Sequence, residues 1–165
     1  MTITVGDHLP EASFTVMGPD GPAPKATADI FADKKVALFA VPGAYTPTCH
    51  KNHMPGFVER VDELKAKGID TIACTAVNDI FVLTAWAKET GATGKIVMLA
   101  DGAAEFAKKL GLDIDLNKFG LGVRSKRYAM LVDNGVVKAL NVEDAPPHHD
   151  KSSAATICSM IDRSF

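Results

Sequence analysis

Asp133-Asn134-Gly135, set between the apolar runs 127–132 and 136–142, limits most strongly what this chain can fold into. Asn-Gly readily takes the left-handed backbone of a two-residue turn, so the flanking runs are predicted to pair as an antiparallel hairpin. Upstream of it, short apolar runs alternate with helical patterns. Residues 36–41, Val-Ala-Leu-Phe-Ala-Val, read as a buried strand. From 47 to 67 a helical period places Met54, Phe57, Val58, Val61 and Leu64 on one face, with Pro55 predicting a kink or break near His53. Residues 68–77 read as a central strand, and Val77-Asn78-Asp79 offers a cap for a helix over 80–89 that ends before Gly91. A strand over 95–100, a helix over 103–110 stopped by Gly111, and a last helix beginning near Lys151 complete the pattern. Residues 18–24 carry three prolines and read as a loop too proline-rich to continue a strand.

Strand and helix in alternation, then a hairpin and a terminal helix, predict a mixed sheet whose first part is parallel and whose last pair is antiparallel. With helices on both faces, this is the outline of a thioredoxin-like α/β fold. At 165 residues, 47% hydrophobic and 23% charged, the chain is expected to form one domain over 1–165 with a full core. The net charge of -2 gives no reason to expect nucleic acid or an acidic membrane surface as partner. No apolar stretch approaches the ~20 residues that span a bilayer. Residues 1–7 lack the basic start and apolar core of a signal peptide, so a cytoplasmic protein is the default expectation.

The chemistry concentrates in Pro42-Gly43-Ala44-Tyr45-Thr46-Pro47-Thr48-Cys49. Thr46 is a predicted N-cap and Pro47 a predicted first helical residue, which places Cys49 at the third helical position. Exposed amides and the helix dipole favour a thiolate there, the nucleophilic form of the side chain. Loops at the carboxyl ends of strands in such sheets are where ligands bind. The other two cysteines, Cys74 and Cys158, form neither a C-x-x-C pair nor a metal spacing with it. Cys74 in its strand reads as a small hydrophobe, and Cys158, in line with Ala154, Ile157 and Ile161, reads as core, with a resolving thiol as the other reading. Reduced thiols in a reducing compartment follow.

Pro42-x-x-x-Thr46-x-x-Cys49 resembles the active-site signature of the peroxiredoxins. The surrounding Val41–Pro47, with His53-x-Pro55-Gly56-Phe57, is similar to the peroxiredoxin 5, or plant type II, subgroup. The likeness continues through Val77-Asn78-Asp79, Trp86, Leu99-Ala100-Asp101, residues 120–128 and residues 134–141, nearly the whole chain.

The resemblance implies a thioredoxin-like fold and a thiol-dependent peroxidase for hydrogen peroxide and organic hydroperoxides. Cys49 would attack the peroxide and become a sulfenic acid. Thr46 would hydrogen-bond the peroxide, Pro42 would shield the pocket from water, and an arginine from a distant strand would favour the thiolate and polarise the O–O bond. Spacing alone does not choose among Arg124, Lys126 and Arg127; the motif register selects Arg127. No cofactor or metal is implied. Some peroxiredoxin 5 relatives have a resolving cysteine in the loop before the last helix, a region occupied here by residues 148–153, His-His-Asp-Lys-Ser-Ser. Plant-type relatives carry a second cysteine matching Cys74, yet a core thiol reaches Cys49 only after local unfolding. A one-cysteine cycle is therefore expected, closed by glutathione, a glutaredoxin or a thioredoxin. A homodimer is implied as well, with Tyr45, Pro47, Ile80, Phe81 and Phe119 as candidate contacts.

Other readings stay open on the residues alone. A thioredoxin-type thiol–disulfide carrier needs a C-x-x-C pair, but position 52 is Asn52. A non-enzymatic sensor would use Cys49 oxidation as a switch. His53 lies within reach of Cys49 for a Cys–His couple but reads as a structural residue before Pro55, while His50 points elsewhere. His148-His149-Asp150 reads as a solvated loop rather than a metal tract.

Overall fold

The structure, a computed structural model, describes residues 1–145 and 147–164. The N-terminal segment folds as a hairpin, β1 (Ser13–Gly18) and β2 (Gly21–Ala26), that runs into a short helix, α1 (Thr27–Phe31). Residues 18–24 thus keep only a two-residue turn at Pro19-Asp20, and the rest of the expected loop is strand. Pro22 and Pro24 stand opposite Met17 and Thr15 in β2, an edge strand, where a missing N–H forfeits no internal ladder bond.

Strand β3 (Lys35–Ala40) is buried beyond its first residue. The next helical stretch opens at Pro47, passes through a π-turn (Cys49–His53) and continues as α2 (Met54–Glu59) and α3 (Val61–Ala66). The irregularity expected near His53 takes the form of that π-turn: the Met54 amide reaches back five residues to the Cys49 carbonyl. Pro55, next in line, has no N–H with which to restore the α-helical ladder. A second break, at Arg60 (φ −105°, ψ 12°), had no sequence signal. Met54, Phe57, Val61 and Leu64 are buried as the periodicity requires, and Val58 packs beside them.

Beyond lie β4 (Thr71–Ala76), α4 (Ile80–Thr90), β5 (Val97–Ala100) and α5 (Glu105–Leu110). Asp79 caps α4 by accepting the Val82 amide at 2.8 Å, and Gly91 closes it with φ 75°. A small ribbon of β6 (Asp113–Asp115) and β7 (Val123–Ser125) follows, too short for its pattern to register in the sequence. The Asn-Gly hairpin forms as predicted from β8 (Tyr128–Asp133) and β9 (Val136–Val142), with φ of 48° at Asn134 and 78° at Gly135. The last helix, α6 (Ala154–Ser164), starts at Ala154 rather than near Lys151, because Ser153 is the residue whose Oγ accepts the Thr156 amide.

The seven strands run β2-β1-β5-β4-β3-β8-β9. β3, β4 and β5 are parallel, and the pairs at both ends are antiparallel. This is the thioredoxin-like mixed sheet. Alternation along β3 sends Ala37 and Phe39 into one core with Phe57, Trp86 and Ile157, and Val36 and Leu38 into another with Phe31 and Phe106. Cys74, in β4, is fully buried opposite Phe39 and Met98, and Cys158 joins Ile157 and Ile161 in the first core. Among the described residues, no helix is long and apolar enough to cross a membrane.

Candidate active site

Three strand ends meet at one corner of the sheet. The β3–β8 register ends with Ala40 opposite Tyr128, and the β8–β9 register with Tyr128 opposite Val142. The segment leaving β3, Arg127 entering β8 and Glu143 leaving β9 are therefore neighbours, and the Glu143 amide bonds the Arg127 carbonyl at 3.0 Å.

The loop after β3 is held from several sides. The Ala44 amide donates to Asn78 Oδ1 at 3.0 Å, and Arg124 Nη1 donates to the Pro42 carbonyl at 3.3 Å. A Cβ on Gly43 would stand 2.8 Å from Arg124 Nη1. The Thr46 carbonyl accepts the His50 amide at 2.9 Å, as an N-cap carbonyl does. Its hydroxyl, however, caps nothing: it donates back to the Gly43 carbonyl at 2.7 Å. The hydroxyl hydrogen is committed, and what the oxygen has left to offer is lone pairs.

Cys49 is the third helical residue, as predicted, and its side chain is sealed from solvent. Arg127, 3% exposed, places Nη2 2.8 Å from the Cys49 sulfur. Its Nη1 stands 2.9 Å from His53 Nδ1, and His53 Nε2 stands 2.9 Å from the Ser152 carbonyl. A carbonyl only accepts, so Nε2 carries the imidazole proton and Nδ1 accepts from Arg127. Burial first, and the Arg127 charge second, lower the His53 pKa to about 3, so the ring is neutral near pH 7. Ser152 in turn donates its amide and hydroxyl to Glu143 Oε2, each at 2.6 Å.

Pro42, Thr46 and Arg127 line one cavity of about 370 Å³, together with the apolar side chains of Leu116, Phe119 and Leu121. A small polar molecule in it meets a guanidinium, a hydroxyl oxygen and apolar walls, and the same guanidinium reaches the Cys49 sulfur at 2.8 Å. Cys74 is unlike Cys49: burial, and then the nearness of Cys49, push its thiol well above the usual cysteine range. A thiol so raised stays protonated near neutral pH.

His50 points away from the cysteine, as expected, and accepts the Trp86 indole N–H at 3.0 Å. Among the described residues no group of three histidine, cysteine or acidic side chains is placed to hold a metal. Tyr45, Phe81 and Phe119 are exposed, but Ile80 is 3% exposed inside the core beneath α4, which corrects its expected place among surface contacts. Glu143 and Ser152 had no sequence signal for a place here, whereas Arg124, a candidate for the site arginine beside Arg127, instead holds the Pro42 carbonyl. The bond from His53 to Ser152 spans 99 positions, so no local pattern encodes it.

A cysteine on the first turn of a helix, at the carboxyl end of a strand in this sheet, is the arrangement of a redoxin. The chain matches the Redoxin family over residues 4–158. It is 49% identical to reduced Prx3 of Vibrio vulnificus, solved in complex with hydrogen peroxide, with a TM-score of 0.92 over 97% of this chain and 99% of that one. It is 36% identical to peroxiredoxin 5 of Alvinella pompejana, with a TM-score of 0.85 over 98% and 99% of the two chains. Peroxiredoxin-2E, chloroplastic, of Arabidopsis thaliana is 50% identical over 147 residues, 87% of this chain and 63% of the relative. The chain belongs to the peroxiredoxin family, alongside its plant type II members. It spans about two-thirds of the length of the chloroplastic relatives it matches, 63% of one and 66% of another.

Proposed function

We propose that this chain is a thiol-dependent peroxidase in which Cys49 reduces hydrogen peroxide and organic hydroperoxides. The observation that carries the reading is the Arg127 guanidinium set 2.8 Å from the Cys49 sulfur, beside a cavity that also holds Thr46 and Pro42. The Cys49 thiolate attacks one peroxide oxygen in line with the O–O bond. A sulfur–oxygen bond forms, the O–O bond breaks, and the departing oxygen leaves as hydroxide or alkoxide and takes a proton. Sulfur is oxidised by two electrons to the sulfenic acid, and the peroxide is reduced to water or an alcohol. Arg127 stabilises the thiolate and then the charge that develops along the O–S and O–O bonds. Thr46, its own hydrogen committed to Gly43, accepts the hydrogen bond of the peroxide and orients it. Pro42, buried and without an N–H, keeps water from competing for that position.

The sulfenic acid is returned to the thiol by an external reductant, glutathione with a glutaredoxin, or a thioredoxin. Two thiols supply the two electrons, and water is released. Support comes from Cys74 and Cys158, which are both buried and free. The reduced thiols suit a reducing compartment such as the cytoplasm. Exposed Tyr45, Phe81 and Phe119 support a homodimer that buries the surface near the site.

One kinetic trace tests the activity. Peroxide with glutathione and glutaredoxin should be consumed over many turnovers by the parent chain and not by Cys49→Ser; a single stoichiometric turnover would make it a sensor instead. Mass spectrometry of peroxide-treated protein tests the cycle, since an internal Cys49–Cys74 or Cys49–Cys158 disulfide as main product would refute the external reductant.

A further inference from the structure

We propose that the groove between α4 and the β1–β5 side of the sheet binds an aliphatic carboxylate, whose chain lies along α4 and whose carboxylate sits between Lys65 and Lys95. The groove has a volume of about 460 Å³, within the usual range for small-molecule sites and larger than the cavity beside Cys49. It is a separate place. Thr71 opens β4 and Val97 opens β5, so the lysine end of the groove lies at the amino ends of the parallel strands, whereas Cys49 follows the carboxyl end of β3.

The walls suit a narrow apolar chain. α4 packs on β5 and β1, and its Ile80, Thr84 and Ala87, spaced i, i+4, i+7, line one side over a run of ~10 Å. Met17 of β1 and Met98 of β5 line the groove from the sheet, and flexible thioethers of this kind adapt to the shape laid against them. Thr84 brings no donor, because its hydroxyl hydrogen goes to the Ile80 carbonyl at 2.7 Å. Met17 and Val97 are each 39% exposed, apolar surface that the fold itself leaves uncovered.

The charged groups gather at one end. Lys65, in the last turn of α3, and Lys95, in the loop before β5, are both exposed, and among the described residues neither ammonium is held by a carboxylate. Thr71 and Thr93 add hydroxyls to the same end. Asp70 lies there too, with Oδ2 accepting the Lys35 amide at 2.8 Å, so two cations stand against one anion. An excess of positive charge at the head of an apolar run is complementary to an anion that carries an aliphatic tail, and it disfavours a cation of the same shape.

The test is an NMR titration of the full chain, its methionine methyls isotope-labelled, with octanoate, whose extended chain is of the length of the apolar run. The Met17 and Met98 methyl signals should move and saturate below about 5 mM, the affinity range of so small a ligand, while Met54, next to the turn that carries Cys49, stays in place. Movement of Met54 instead would put the ligand beside Cys49, and no movement would leave the groove without it; either result overturns the proposal. Lys65→Gln with Lys95→Gln, two exposed changes, should weaken octanoate about fivefold, the scale of two surface ion pairs, and leave octanol, the uncharged probe, unaffected. Equal octanoate affinity in this variant would refute recognition of the carboxylate. Thr84→Phe fills the run and should abolish the Met17 and Met98 shifts with both probes, and shifts that persist would refute the placement. If Thr84→Phe does not fold, the methyl shifts and the lysine variant still decide. No peroxide enters the experiment, so its failure is distinct from a failure of the peroxidase reading.

Discussion

Cys49 and Arg127 are 78 positions apart in the chain, and their side chains meet at 2.8 Å. The sheet register produces that meeting: with Ala40 opposite Tyr128, the residue before β8 must emerge beside the loop that follows β3. Arg127 is thus carried to the sulfur by the pairing of two interior strands of the sheet.

Arg127→Lys should keep a positive charge yet lose the fork. One nitrogen cannot bond both Cys49 Sγ and His53 Nδ1, and we expect the rate of peroxide reduction to fall about 10²-fold. Stopped-flow measurement at saturating reductant reads this directly, and an unchanged rate would mean that charge without geometry suffices.

At Thr46 the side-chain oxygen matters as an acceptor, since its hydrogen is already given to Gly43 at 2.7 Å. Thr46→Ser should stay within a few-fold of the parent in kcat/KM for hydrogen peroxide. Thr46→Val keeps the shape and loses the oxygen, and we expect a loss of about 10- to 100-fold, one to three kcal/mol of transition-state stabilisation.

Acid should weaken the fold through His53. Its pKa is lowered to about 3 in the folded chain, against an ordinary value of 6.5, so between these limits the unfolded chain binds a proton that the native one refuses. Stability is complete above pH 6.5, declines as pH falls, and loses no more from this residue below about pH 3. The limiting slope is about 1.4 kcal/mol per pH unit. Urea titrations across this range should show a shallower dependence in His53→Gln, which cannot titrate; an identical slope would assign the acid sensitivity elsewhere.

Gly43→Ala should damage the site from outside it. The added methyl would stand 2.8 Å from Arg124 Nη1 and 3.2 Å from the Thr46 methyl, so the Arg124 bond to the Pro42 carbonyl must lengthen or the loop must move. We expect a stability loss of about 1–3 kcal/mol and reduced turnover. Thermal melting paired with the peroxidase assay checks both, and parent-like behaviour in each would show that the loop yields freely.

Local chemistry made much of this legible. Asn134-Gly135 specified its hairpin, Asp79 and Gly91 bounded α4, and Thr46-Pro47 opened the helix that carries Cys49. The motif register also pointed to Arg127, which the register of β3 and β8 brings to the sulfur. Signals failed where the deciding neighbour is remote. Pro22 and Pro24 argued against a strand because nothing nearby says that β2 lies at an edge. The path from Glu143 through Ser152 to His53 joins segments 99 positions apart, and its members look ordinary in their own surroundings. At Thr46 the pattern gave the position correctly but not the direction of the hydroxyl, which depends on the fold of a single loop.

The two prolines of β2 also govern how copies of this molecule can meet. Lying at alternate positions, they put their substituted nitrogens on the same flank, the one turned away from β1, and leave the rim of the sheet without donors at two points. A strand from another molecule would find no continuous ladder to extend there, so crowded copies are not templated into stacked sheets. Along that edge, association is left to side-chain surfaces.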